Sequence, residues 1–249
     1  NKDITSVYIP DSVLLISPSD AGGGRFSGGC FENCTALTKI RLPQNPDAMI
    51  YGSAFDGCGY SNDASNWKNG ALYIDGWLID TSDELPAEYT IEAGTRGIAV
   101  GAFARSSVTK VTVPDSVTAL NGAFAYCTTI TEAILPQTLS YIGSAAFSDC
   151  TQLQTIIIPD SVTSIGYWAF VGCTSLQEII IPAGVTRIGS PKKYDYAASG
   201  GGFDAENPPK SVIFKDPKGW YIDETSISEE ELSDPAKAAE YIGYMLIKK

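Results

Sequence analysis

The chain has 249 residues, 44% of them hydrophobic, and a formal net charge of −12 with no histidine. Its hydrophobic share is that of a folded protein rather than a disordered one, and its acidity argues against nucleic acid and anionic membrane surfaces as partners. Without histidine a serine or cysteine nucleophile lacks its usual base and metals lose their commonest ligand, and no run of about 18 apolar residues is present to cross a bilayer.

A chain of this length holds either two ordinary domains or one elongated repeat domain. Asn1-Lys2-Asp3 leads at once into strand-like sequence, as expected of either a trimmed chain or a mature one whose leader has been removed. Ile4, Val7 and Ile9, followed by Pro10, form the first copy of a recurring pattern. Its last two apolar residues alternate with the period of a strand. Proline ends the strand because it has no N–H to give to a ladder. Pro-Asp-Ser at 10–12, 114–116 and 159–161 is turn sequence. From Pro10 to Phe31 the chain takes 21 residues, against 11 in regular units, and passes through Gly22-Gly23-Gly24 and Gly28-Gly29.

Phe31 and Cys34 introduce a second element, a small residue followed by Phe-x-x-Cys, which is too short for a full helix and suits a helical turn. Leu37, Ile40, Leu42 and Pro43 repeat the strand, and Phe55 with Cys58 repeats the turn. The next 48 residues, to Phe103, equal about two units. Within them the run from Gly70 to Ile79, with Asp75-Gly76 at its centre, predicts a β-hairpin. Tyr89-Thr90-Ile91 and Gly97-Ile98 regain the register.

From Phe103 the repeat is regular. Val108-Val111-Val113-Pro114, Ile130-Ala133-Leu135-Pro136, Leu153-Ile156-Ile158-Pro159 and Leu176-Ile179-Ile181-Pro182 are successive strands. Phe124, Phe147 and Phe170 lie 23 residues apart, each followed after three residues by Cys127, Cys150 or Cys173, and Ser106 holds that slot after Phe103. Val-x-x-Ile-Gly, as in Val162-Ile165-Gly166, predicts a second short extended segment. Pro182 to Phe203 is again 21 residues and ends in Gly200-Gly201-Gly202. Two excursions of equal length read either as flexible lips or as tolerated insertions. After Phe214 the pattern stops. Trp220-Tyr221-Ile222 reads as a last strand and Glu229-Glu230-Glu231 as a solvated run. Ser233-Asp234-Pro235 starts a helix. Ala238, Tyr241, Ile242, Met245 and Leu246 share one helical face, with Lys248 and Lys249 at its C-terminal end. The expectation is a cap over 217–249 with a helix at about 234–247; a linker helix to a further domain is the alternative.

A unit of about 23 residues cannot bury its apolar face alone, so the units stack and their strands pair in parallel about 4.8 Å apart. The repeated Ala-Phe-x-x-Cys-x-x-Leu-x-x-Ile-x-Ile-Pro-x-x-Val-x-x-Ile-Gly resembles the BspA-like, Treponema pallidum type of leucine-rich repeat, over residues 4–216. The resemblance implies a leucine-rich-repeat solenoid over 1–216. It would be an α/β fold of short parallel strands with short helical or irregular crossovers, with insertions near 17–29, 59–88 and 190–202. It also implies a bacterial cell-surface or secreted protein, several of whose relatives are adhesins for host matrix proteins. The 70–79 hairpin resembles an insertion in the same family. Ordinary leucine-rich repeats carry Asn or Cys two residues before a Leu. Here that position is missing and Cys follows Phe, so a smooth horseshoe curvature is not implied.

In the leucine-rich-repeat reading the strand residues between core positions face the concave side. These are Ser6, Tyr8, Lys39, Arg41, Lys110, Thr112, Glu132, Ile134, Thr155, Ile157, Glu178, Ile180 and Ile213. Ile134, Ile157 and Ile180 would stack as an exposed strip, either a protein-docking patch flanked by charge or the preference of isoleucine for parallel strands. Tyr194, Tyr196 and Trp67 are loop candidates for contact, whereas Trp77 is expected to pack back on the core. Five cysteines share one ladder position and read as small buried thiols; Cys30 with Cys34 is the one local pair to test for a disulfide. The period is too long for paired zinc knuckles. The glycine runs lack the Lys-Ser/Thr of a phosphate loop. Asp11, Asp115 and Asp160 follow Pro in turns, where backbone hydrogen bonding accounts for them. Asn33-Cys34-Thr35 matches a glycosylation sequon in form only, since Cys34 belongs to the core ladder. The expected function is recognition or adhesion at the cell surface, by contact, with a host or matrix protein or a glycan as partner and with no cofactor, metal or catalysis. The alternatives are a passive spacer in a larger surface protein and a right-handed parallel β-helix that processes polysaccharide. The oligomeric state stays open.

Overall fold

The computed structural model describes residues 3–17, 29–104, 106–189, 201–204, 207–222, 224–244 and 246–249. The excursions near 17–29 and 190–202 therefore fall largely outside the described residues, and Tyr194, Tyr196 and Met245 fall wholly outside them.

Each regular unit contributes one strand to each of two parallel ladders. On the front, Ser6–Tyr8 pairs with Lys39–Arg41. Glu88–Thr90, Lys110–Thr112, Glu132–Ile134 and Thr155–Ile156 then pair in succession, and Glu178–Ile181 pairs with Ser211–Phe214. On the back, the Val-x-x-Ile segments do the same. Leu15–Ile16 pairs with Met49–Ile50, and Ala119–Leu120 begins a run through Tyr141–Ile142, Ser164–Ile165 and Arg187–Ile188. Proline closes most of these front strands, as Pro43, Pro114, Pro136 and Pro182 do, whereas Glu88–Thr90 and Ser211–Phe214 run on into Ile91 and Lys215.

The glycines after Tyr141–Ile142 and Ser164–Ile165 are there for packing. A Cβ on Gly143 would stand 2.5 Å from the Leu120 carbonyl oxygen, and one on Gly166 would stand 2.5 Å from the Ser144 nitrogen. At Gly143 and Gly166 the preceding unit approaches too closely for a side chain.

The Phe-x-x-Cys turns make a third line of contacts. The N–H groups of Phe124 and Phe147 donate to Ala146 and Ala169 in the next unit at 2.9 and 2.8 Å. Inside, the phenylalanine rings stack. Centroid separations are 5.0 Å for Phe103–Phe124, 5.0 Å for Phe124–Phe147, 5.4 Å for Phe147–Phe170 and 4.9 Å for Phe170–Phe203. Phe31 stacks on Phe55 at 5.6 Å, and Tyr89 meets Phe103 where the hairpin interrupts the column. All six cysteines are free, with Cys30 exposed and the other five buried, so Cys30 and Cys34 do not pair. The thiols instead hold the stack. Cys150 donates to the Phe124 carbonyl and Cys173 to that of Phe147, each at 3.1 Å. Burial pushes both thiols' pKa values up, that of Cys173 to about 12.

The interruption between Phe55 and Phe103 is a hairpin, as the Asp-Gly signal predicts. Ala71–Ile74 pairs antiparallel with Trp77–Thr81, and the turn residues Asp75 and Gly76 have φ of 47° and 81°, the geometry of a two-residue type I′ turn. Trp77 is buried and donates its indole N–H to the Pro43 carbonyl at 2.9 Å. Its ring fills the space above Gly97, where an added Cβ would meet it at 2.2 Å. Trp77–Thr81 then joins Gly97–Ile98 in parallel, which returns the chain to the back ladder.

The C-terminal segment departs from the expected single helix at about 234–247. Two short helices form, Glu229–Ser233 and Pro235–Tyr241. The first starts at a capping box between Ser228 and Glu231, and the second at the Asp234 side chain with Pro235 in its first turn. Helix ends at Tyr241, and Leu246–Lys248 is a strand. It pairs antiparallel with Arg187–Ile188 and with Trp220–Ile222, so it covers the outer edge of the back ladder. An open sheet edge offers a row of unpaired backbone groups, and satisfying them outweighs two more turns of helix.

Candidate functional site

The front ladder puts alternate side chains on its outer face and the Leu/Ile set inside. Tyr8 and Arg41 lie opposite each other in register, with the guanidinium 4.7 Å above the tyrosine ring and 3.6 Å from Asp11. Ser6 and Lys39 are exposed beside them. Lys110 faces Glu132 across one rung and forms a 2.9 Å ion pair, and the bonded carboxylate raises the lysine pKa. Thr112 lies opposite Ile134, Glu132 opposite Thr155, Glu178 opposite Ser211 and Ile180 opposite the half-buried Ile213.

Ile134, Ile157 and Ile180 are 41%, 81% and 42% exposed. They line a groove of about 1070 Å³ with Glu132, Gln154, Thr155, Gln177 and Glu178. The groove lies where the front ladder is interrupted. Among the described residues no strand pairing joins Thr155–Ile156 to Glu178–Ile181, although the back strands and phenylalanines of the same units stay in register. Ile157 stands at that interruption, which is why its side chain is the most exposed of the three. The arrangement is an apolar strip with a carboxylate at either side.

The loop candidates fare differently. Trp67 is half-buried against the core and donates its indole N–H to the Ser61 carbonyl at 2.8 Å, so its ring and polar edge serve the insertion. The turns, by contrast, carry two aromatics that the repeat consensus conceals. Tyr126 is 62% exposed and Trp168 47% exposed, both with positive φ. Tyr126 precedes Cys127, the position where other units hold Asn33, Gly57, Asp149 and Gly172, all left-handed. Asparagine, aspartate and glycine suit that conformation and tyrosine does not. That contrast is a sequence signal for Tyr126. Of the carboxylates after proline, Asp11 bonds the backbone as expected, whereas Asp160 is held by an ion pair instead. Asp11 accepts from the Gln44 N–H at 2.9 Å, and Asp160 pairs with Lys215 at 2.5 Å.

A family model described as the BspA type leucine-rich repeat region matches residues 1–123 and 96–191. Among solved structures, a leucine-rich repeat protein of T. pallidum is 31% identical over 46% of this chain and 50% of its own, with a TM-score of 0.35. A leucine-rich cell surface protein of Faecalibacterium prausnitzii is 22% identical over 74% of this chain and 55% of its own (TM-score 0.46). A leucine-rich repeat protein of Bacteroides ovatus is 24% identical over 87% and 51% (TM-score 0.44). The chain thus spans about half the length of these three solved relatives. No curated protein matches it.

Proposed function

The chain belongs to the BspA type leucine-rich repeat family, and on that footing we propose that it is a recognition module displayed outside the cell that docks a host or matrix protein on its front sheet. Its mechanism is contact without chemistry. The observation that carries this reading is the column of Ile134, Ile157 and Ile180 lining the groove at the interrupted ladder. Fully covering an exposed side chain of this size is worth roughly 1.5–3 kcal/mol; Ile157 has most of that to give and the half-covered Ile134 and Ile180 less, together enough to anchor an interface. Glu132 and Glu178 flank the strip, and the chain's net charge is −12. The fitting partner therefore presents apolar side chains bordered by basic ones, drawn in by a long-range field that salt weakens.

The experiment is a binding array of extracellular matrix proteins, followed by the double variant Ile157→Glu, Ile180→Glu. Both positions are exposed, so circular dichroism should stay unchanged while binding is lost. Unchanged binding by the variant removes the front sheet from the mechanism. A spacer role predicts no partner at micromolar concentration.

A further inference from the structure

We propose that the back face carries a second recognition site, a groove for a neutral saccharide lined by the rings of Tyr141 and Tyr167, with Trp168 stacked on Tyr167 beside it, and independent of the front sheet. The first observation is backbone geometry. Four turns hold the residue two before phenylalanine in the left-handed region: Gly101 (φ 71°), Gly122 (58°), Ala145 (53°) and Trp168 (56°). Three of the four are small. A bulky side chain in this region is strained, and such strain persists where the surroundings or a function hold it in place. Burial does not compensate here, because about half of the Trp168 surface faces solvent, whereas Trp77 and Trp220 are buried. The position is held from behind, where the Trp168 N–H donates to the Gly201 carbonyl at 3.0 Å.

The second observation is what lies beside the indole. Tyr167 stacks on it, with centroids 4.4 Å apart and planes 23° from parallel. Tyr167 also lines a groove of about 520 Å³ over the back strands, with Tyr141, Asn121, Ser164, Asp47 and Arg187 around it. Among the described residues no ion pair engages Asp47 or Arg187. The groove therefore offers flat rings beside a guanidinium, a carboxylate, an amide and hydroxyls that do not neutralise one another. A pyranose has the complementary surface, a C–H face that packs on an aromatic ring and vicinal hydroxyls that both donate and accept. Charge selects among sugars. Asp47 and the chain's net charge of −12 oppose an acidic saccharide, so the occupant is neutral.

The test uses the intact chain and a panel of neutral gluco-, galacto- and manno-configured disaccharides, with uronic-acid disaccharides as the contrast. Binding is read by calorimetry and by tryptophan emission. Tyr167→Ala should weaken binding about tenfold or more, the loss expected for one stacked ring with its buried area; a neutral disaccharide should also shift the emission of the adjoining Trp168, and Trp168→Gly should abolish that shift. Glycine is at ease in the left-handed region, so this variant should melt at the same temperature or higher. Arg187→Gln, at an exposed position, should weaken binding without changing the melt. Ile157→Glu should leave saccharide binding intact, which separates this site from the front sheet. The proposal is overturned if no neutral disaccharide binds at millimolar concentration, if both groove variants bind as the parent does, or if uronic-acid sugars are preferred.

Discussion

Replacing Phe147 with alanine tests the stack at its most connected point. Phe147 is fully buried, with one ring 5.0 Å away at 12° and another 5.4 Å away at 1°. Phe→Ala in a core costs about 3–5 kcal/mol from lost transfer energy and the cavity left behind. Two ring contacts are removed at once, each worth about 0.5–1.5 kcal/mol beyond its area, which places the expected loss in the upper part of that range. Phe31→Ala is the internal comparison, since that ring is half-buried and stacks on Phe55 alone among the described rings; a loss of about 1–2 kcal/mol is expected. The assay is urea unfolding followed by circular dichroism, with midpoint and slope compared for both variants. Units that contact only their neighbours couple through interfaces like this one. The Phe147 variant should therefore also broaden the transition, as the two sides of the stack begin to unfold separately. A loss under about 1 kcal/mol, or one no larger than that of Phe31→Ala, would refute the stacked column.

The column itself was legible because the repeat is exact where the packing is tightest. Phe124, Phe147 and Phe170 recur at a fixed interval, and both ladders follow from apolar spacing that only stacking explains. The hairpin was legible from Asp75-Gly76, since few sequences accept two consecutive left-handed residues. The C-terminal strand was not. Ala238 to Leu246 satisfies a helical face, yet Leu246-Ile247-Lys248 equally fits a strand. The decision came from a distant edge, Arg187–Ile188, that local pattern does not reveal. The aromatics were missed for a different reason. Reading the repeat through its conserved-looking Ala, Phe and Cys columns draws attention away from the neighbouring columns, where Tyr126 and Trp168 stand in place of small or left-handed-tolerant residues. An oddity within a repeat column marks a position released from packing more sharply than an aromatic within an insertion, as the internal bonding of Trp67 illustrates.

Two further variants, one single and one double, probe the corners and the thiols. Gly166→Ala brings a Cβ to 2.5 Å from the Ser144 nitrogen and 2.6 Å from the Gly143 carbonyl carbon, both backbone atoms that cannot turn aside. A loss of about 1–3 kcal/mol is expected, and a thermal melt unchanged from the parent would show that adjacent units are not in contact there. The buried thiols make stability depend on alkali. Burial raises the Cys173 pKa from its ordinary 9.0 to about 12, and Cys150 is raised by the same cause with Cys173 and Cys127 adding to it. In the folded chain these groups stay neutral, whereas in the unfolded chain they ionise near their ordinary value, so rising pH favours unfolding. The stability they provide is fully present below about 9 and falls as pH climbs from there toward 12. Below that window the slope from these groups should vanish. Urea midpoints measured from neutral pH upward should decline, and Cys150→Ala with Cys173→Ala should flatten the part of the decline these thiols cause, leaving the part due to tyrosines such as Tyr73 and Tyr89, whose pKa values burial also raises. An identical slope in the double variant would mean that the thiols reach solvent, and the column of cysteines beside the phenylalanines would then not be the dry interior that holds the units together.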